Sequence, residues 1–271
     1  MSDELPALPW ERSRRRTPRV RIPLTRDRIV DAAYAVLDRE GYDRLSMRQV
    51  AAELGVAVSA LYAHVSSKDE LFELMYIRMF RGWTLPDADP ARWREQIMDF
   101  ARSSRARLRE HRDLARISMR SVPFNPEVLP QVDRLLGVFR AAGLPDRVAG
   151  AAGDVISTFI DGFAYEENMW EDRRREAEEG TWTELQTIMN QYFKDLPADR
   201  FPNLVALSDF LMDKSNDDRF ELGMEIIVRG LASIAEEARQ AGGSGPSGGP
   251  EPADGRGDAG HGERAALEEL R

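Results

Sequence analysis

The stretch SMRQVAAELGVAVSALYAHVSSK, from Ser46 to Lys68, constrains the fold of this chain more than any other. Val50, Ala51 and Leu54 repeat at helical spacing up to Gly55, and Leu61 and Val65 resume an apolar pattern after it. Ser46 with Gln49, and Ser67 with Glu70, have the spacing of capping boxes, in which a serine hydroxyl takes an amide of the first helical turn. A glycine between two such segments ends the first helix in a left-handed turn. The outline is a helix-turn-helix, a motif that can set its second helix in a DNA major groove.

Charge supports that reading only when its distribution is considered. The chain of 271 residues has a formal net charge of −9, which taken alone argues against a polyanionic partner. Residues 12 to 28, however, carry eight arginines against Asp27, or +7, so the remainder carries −9 − 7 = −16. A basic end and an acidic body suggest that one end meets nucleic acid and the other does not. Without cysteine there is no disulfide and no thiolate metal site. No apolar run approaches the roughly 20 residues that span a bilayer, and Met1 to Pro9 lacks a signal-like core. A cytoplasmic location with no membrane partner is the expectation.

Pro6, Pro9, Pro18 and Pro23 interrupt the start of the chain, so residues 1–24 read as a disordered Arg-rich arm. Thr25 caps a helix that ends at Gly41, and the helices starting at Ser46, Val58 and Ser67 complete a head over residues 25–82. Trp83 to Asp89 breaks the pattern. Beyond it, residues 83–240 read as a helical body. Asp89-Pro90 opens a fifth helix with an N1 proline, Asp113 to Arg120 forms a short one, and Asn125-Pro126 starts another that ends at Gly143. A long helix runs from Pro145 past Trp170, residues 172 to 200 read as a charged irregular loop, and Phe201 to Met212 and Asp218 to Arg239 are helical. Residues 241–271 form a Gly/Pro-rich tail with too little apolar surface to order. No segment alternates as a strand does. The fold class is all-α, a three-helix head joined by a connecting helix to a helical bundle that dimerises.

Within the head, Arg48 lies in the first turn of the second helix, where a guanidinium can reach guanine O6 and N7 or bond a neighbouring acid. Tyr62, His64 and Lys68 cluster at the end of the third helix and suit phosphate oxygens. A lysine in the first turn of a helix opposes the helix dipole, so an external anion gives Lys68 a reason to be there. The bland alternative for Tyr62 is a half-buried ring with its hydroxyl at the rim. Arg14, Arg15, Arg16, Arg19 and Arg21 sit among prolines, and an extended arginine arm of that kind can track into an adjacent minor groove or serve as a general polyanion-binding tail.

The residues LTRDRIVDAAYAVLDREG followed by LSMRQVAAELGVAVSALYAHVSSKDEL, between Leu24 and Gly82, resemble the DNA-binding domain of the TetR/AcrR family of bacterial transcription regulators. The resemblance covers about a fifth of the chain, and the later helices resemble the family's ligand-binding and dimerisation domain in number and order. It implies base reading at Arg48, Val58, Ser59 and Ala60, and phosphate contacts at Ser46, Met47, Tyr62, His64 and Lys68. Met47 stands where the family commonly has a hydroxyl. Val58 and Ala60 can meet thymine methyls but have no group that reads a purine edge.

The same resemblance implies a double-stranded DNA operator, a small-molecule ligand, and a homodimer through the helices around 146–171 and 218–239. Those helices carry apolar stripes, Val155, Ile156, Phe159, Ile160 and Phe163 on the first and Phe220, Met224, Ile227, Leu231 and Ile234 on the second, with Gly223 and Gly230 one heptad apart. Trp93, Ile97, Phe100, Met119, Phe124, Phe139 and Phe163 are apolar enough to line the ligand cavity, though such residues also make ordinary core. His111, in the HRD stretch, is the candidate polar anchor, or an imidazole favoured by a helix C-terminus. No cofactor or metal is expected. An enzyme is disfavoured because the chain has no G-x-S-x-G, Walker, dinucleotide or HExxH motif, and Glu166, Glu167 and Asp172 look like a solvated acidic run. A ligand-responsive activator and a polyanion- or membrane-binding module remain as alternatives to a repressor.

Overall fold

The computed structural model describes residues 23–121, 125–176, 181–211 and 216–243, and among these every regular element is a helix. The head comprises α1 (Arg26–Glu40), α2 (Met47–Leu54), α3 (Val58–Tyr62) and α4 (Lys68–Met79). The body follows with α5 (Trp93–Leu108), α6 (Leu114–Arg120), α7 (Leu129–Ala141), α8 (Asp146–Glu176), α9 (Thr181–Lys194), α10 (Pro202–Ala206), α11 (Ser208–Leu211) and α12 (Asn216–Gly243). No helix among the described residues is long and apolar enough to cross a membrane.

Local chemistry sets the head's boundaries. Thr25 Oγ1 accepts the Arg28 amide at 3.3 Å, Ser46 Oγ the Gln49 amide at 3.4 Å, and Ser67 Oγ the Glu70 amide at 3.0 Å. Each satisfies an amide that the helix itself leaves unpaired. Gly55, at φ 66°, ends α2 in the left-handed region and lets the chain turn directly into α3. Ile29, Leu37, Leu45, Val50, Leu61, Val65, Leu71 and Met75 are fully buried and form one apolar core. The Tyr34 hydroxyl donates to the Met75 carbonyl at 2.6 Å and ties α1 to α4.

In the body α8 is the hub, packing against α5, α6, α7 and α12. Ile156 and Ile160 are buried on its inner face, with Ile97, Leu114, Ile117, Phe139 and Phe220 around them. A β-carbon on Gly223 would collide with the end of the Phe159 ring, so glycine lets α12 lie against α8 without displacing that ring.

Three expectations about boundaries need correction. The charged segment 172–200 is not an irregular loop, because α8 continues to Glu176 and α9 occupies Thr181–Lys194. Its Glu and Arg residues are good helix formers and pair at helical spacing, as Glu171 does with Arg174 and Arg175 at 3.7 Å each. Asp89-Pro90 and Asn125-Pro126 do not begin helices. Each polar side chain accepts the amide two residues on, Asp89 from Ala91 at 2.8 Å and Asn125 from Glu127 at 3.0 Å, and holds a turn that delays the helix. Phe201 to Met212, read as one helix, divides within the described part at Leu207 into α10 and α11.

Candidate nucleic-acid interface

The residues expected to meet DNA sit on α2, α3 and the start of α4. Arg48 is exposed and pairs with no neighbouring acid among the described residues, which leaves its guanidinium available. Ser59 is exposed on α3, while Val58 and Ala60 are half-buried and Val58 packs against the core. Tyr62 is 51% exposed, so it is not a core ring. Its hydroxyl is free to meet a ligand outside the head. His64 is half-buried, and its carbonyl accepts Arg26 Nε at 2.9 Å. Met47 is buried at 7% exposure, which gives its side chain to the core and leaves only backbone for any phosphate. The Ser46 hydroxyl already caps α2 and donates to Gln49 Oε1 at 3.0 Å. Arg14, Arg15, Arg16, Arg19 and Arg21 lie outside the described residues.

Lys68 has an internal partner that its position in the sequence does not reveal. Its ammonium lies 5.6 Å from the Tyr42 ring centroid and 5.0 Å from that of Phe72, and the two rings are stacked 5.2 Å apart. A cation over an aromatic face is held electrostatically without losing its hydrogen-bond donors. This contact offsets the unfavourable dipole at the start of α4. It also leaves the N–H groups of Lys68 for an anion.

Head and body meet along two seams. In one, the HRD stretch clasps α1. The His111 ring stacks on Tyr34 at 4.1 Å with Nδ1 2.9 Å from Asp38, the Arg112 amide donates to Asp38 at 2.9 Å, and Asp113 accepts the Tyr42 amide at 2.9 Å. Asp113 is buried and takes a positive φ of 57°, a costly conformation for a residue other than glycine. In the other seam an aromatic ladder runs from Tyr76 through Phe80 and Trp83 to Phe100, with centroids 5.0, 5.9 and 5.4 Å apart. A cleft of about 510 Å³ opens at the first seam, lined by the α1–α2 turn, Arg112, Asp113, Arg116, Tyr165, Met169, Asp172 and Arg173.

The residues expected to line a ligand cavity are dispersed, and none of them lines this cleft. His111 faces the head, because Asp38 and Tyr34 take its nitrogen and its face. Phe100 belongs to the aromatic ladder. Met119 is 56% exposed. Trp93 is buried beneath the Arg94 guanidinium, 4.6 Å away, and Phe139 is fully buried beside Gly153. Phe163 packs with Phe159 and Phe220, and Phe124 lies outside the described residues.

Of the polar groups clustered inside the body, Arg105, Ser118 and Asp161 were not singled out by sequence, and Glu167 was read as part of a solvated acidic run. Arg105 Nε and Nη2 donate to both oxygens of Glu167 at 2.9 and 2.6 Å, and its guanidinium lies 4.7 Å from the Phe220 centroid. Glu167 therefore belongs to the interior, not to a solvated run. Asp161 accepts the Ser118 hydroxyl at 3.1 Å, and burial pushes its carboxyl up to about 6. Burial also pushes the nearby Tyr76 hydroxyl up to about 12, with the Asp161 charge adding to it. The available signal was an acid interrupting the apolar stripe Phe159, Ile160, Phe163.

Known proteins resemble both halves. The family model for bacterial regulatory proteins of the tetR family matches residues 29–75, and that for the tetracyclin repressor-like C-terminal domain matches residues 85–234. The HTH-type transcriptional repressor DrrR1 of Streptomyces coeruleorubidus is 31% identical over 233 residues, 85% of this chain and 85% of the relative. The class A tetracycline repressor of transposon 1721 from Escherichia coli is 31% identical over 207 residues, 75% of this chain and 88% of the repressor. The ActR structure from Streptomyces coelicolor, solved in complex with actinorhodin, superposes with a TM-score of 0.72 at 41% identity, covering 80% of this chain and 99% of that one. With a helix-turn-helix in the first matched region and a helical bundle in the second, the chain belongs to the tetR family and is a DNA-binding transcriptional regulator.

Proposed function

We propose that the chain is a homodimeric repressor that grips a roughly palindromic operator and releases it when a small molecule occupies the body. The observation that carries this reading is the exposed Arg48, with no acid partner among the described residues, together with exposed Ser59 and Tyr62 on the α2–α3 pair. Arg48 reads a guanine edge and Ser59 assists, while Val58 and Ala60 offer at most methyl contacts. Ser46, the Met47 backbone, Tyr62, His64 and Lys68 grip phosphates. With so few base-reading groups, Arg14, Arg15, Arg16, Arg19 and Arg21 supply further discrimination by entering an A·T-rich minor groove. Residues 1–24 are then the arm, 25–82 the reading head, 83–240 the sensing and dimerising body, and 241–271 a tail.

Dimerisation is supported by apolar side chains left exposed on two neighbouring helices, Val155 on α8 and Leu222, Ile226 and Ile234 on α12. Two copies related by a twofold axis present two heads, which calls for an inverted-repeat site. That ActR was solved in complex with actinorhodin supports a small-molecule ligand here too. Trp93, Phe100, Met119, Phe139 and Phe163 would supply its apolar walls. Such a ligand shifts the heads only by its difference in affinity between two states. The chain acts by binding, not turnover, in the cytoplasm where its operator lies.

In vitro selection from a random duplex pool with purified protein tests the reading. An enriched inverted repeat, lost from the Arg48→Ala protein, is expected. A pool that converges on no motif would sink it. Addition of actinorhodin to the complex then tests the ligand class, with release of the duplex as the expected outcome.

A further inference from the structure

Lys68 has two carboxylates for close neighbours, and neither is paired with it. Asp69 follows it in the chain, and Asp43 follows Tyr42, whose ring lies under the Lys68 ammonium. Both acids are taken by the body. Arg116 donates to the two oxygens of Asp43 at 2.9 Å each, and Arg120 donates to Asp69 at 3.0 Å and to the Tyr42 hydroxyl at 2.7 Å. The Arg116 guanidinium is 4.1 Å from the Tyr42 centroid, and that of Arg120 is 5.3 Å from Phe72. The next acid along, Glu70, is held by Ser66 and Arg26. Among the described residues, no carboxylate lies within ion-pair distance of the Lys68 ammonium.

We propose that Arg116 and Arg120, one turn apart on α6, position Lys68 for DNA by occupying the two carboxylates that would otherwise take its ammonium. A planar guanidinium holds a carboxylate with two parallel bonds, whereas an ammonium is a point donor, so the arginines win the acids while α6 is docked. The Arg116 pair holds Asp43 below the usual carboxylate range, and the nearby Lys68 charge adds to it. Withdrawal of α6 frees two negative groups beside the phosphate edge. They then capture Lys68 and repel the backbone of the duplex, so a movement in the body reaches the DNA grip through charge alone. Tyr42 and Phe72 form the shared platform on which all three cations rest.

This inference rests on the reading of Lys68 as a phosphate contact, and the experiment separates the two. The probe is a fluorescent duplex recovered by selection with the wild-type protein, titrated by anisotropy over a range of salt. Lys68→Ala should weaken binding about tenfold and reduce the slope of log K against log salt by about 2, one phosphate for each of two heads. If Lys68→Ala changes neither, the phosphate contact fails and this inference with it. The Arg116→Ala/Arg120→Ala protein should lose affinity and slope to a similar degree. Adding Asp43→Asn and Asp69→Asn should restore both, because nothing then competes for Lys68. Failure of that rescue, or a rescue that persists when Lys68 is also alanine, overturns the proposal; the second result would reduce it to a general loss of negative charge. Should the double arginine variant unfold, Arg116→Lys replaces it, with a loss of about threefold that Asp43→Asn erases.

Discussion

The head and the body are both helical, but their interiors differ. Every buried side chain in the head is hydrophobic, from Ile29 and Leu37 to Leu61 and Met75. The buried polar and charged side chains among the described residues, Arg105, Asp113, Ser118, Glu167 and Ser208, all belong to the body. An apolar core stabilises one shape, and a head that must fit a groove needs no other. Buried charge costs desolvation that only good pairing offsets, so it is a poor way to gain stability and a ready way to respond to a polar ligand. The comparison suggests that the body gives up stability that the head retains.

Four substitutions probe that difference. A large loss is expected for Glu167→Ala, which removes both bonds to the buried Arg105, leaves it only the exposed Asp217 at 2.8 Å, and should cost about 3 kcal/mol in urea unfolding. If the cost is below about 1 kcal/mol, the body's ion pair is not held as tightly as its geometry indicates. In the head, Leu61→Ala removes a fully buried side chain and should cost about 3 kcal/mol. DNA binding should fall with it while the body's unfolding is little changed; equal loss in both halves would merge them into one cooperative unit.

Asp161→Asn should act in the opposite direction. Because burial raises the folded carboxyl from 3.8 to about 6, the native protein holds a proton that the unfolded chain has released across that window. Stability therefore falls as pH rises from 4 to 6, and the cost persists at neutral pH. The asparagine keeps an acceptor for Ser118 and should stabilise the protein by about 2 kcal/mol at pH 7, with no gain at pH 4. A gain independent of pH would point to packing, not charge. The smallest effect belongs to a cap: Ser67→Ala should cost about 1 kcal/mol and mainly loosen the start of α4, seen as faster amide exchange at Glu70.

Much of the head was legible in the sequence because its determinants are local. Thr25, Ser46 and Ser67 cap the helices they precede, Gly55 turns where a left-handed residue is needed, and the apolar positions repeat at one period. The body was legible as helices but not as a site. Its charged end of α8 reads like a loop because periodicity weakens when every position is polar, although Arg and Glu favour helix. His111 and Phe100 carry no mark in the sequence of facing the head, since Tyr34, Asp38 and Trp83 come from other elements. The aromatic platform under Lys68 was hidden for the same reason, with Tyr42 from the α1–α2 turn and Arg116 and Arg120 from α6.

Trp83 gives this joint an optical handle. Its indole lies between Phe80 and Phe100 with the Arg107 guanidinium 5.3 Å from its ring, at the place where α4 hands over to α5. A protein in which the other four tryptophans are phenylalanine would report, through the colour and lifetime of one fluorophore, each change in the angle between reader and sensor. The switch could then be timed in solution without labelling either the protein or the DNA.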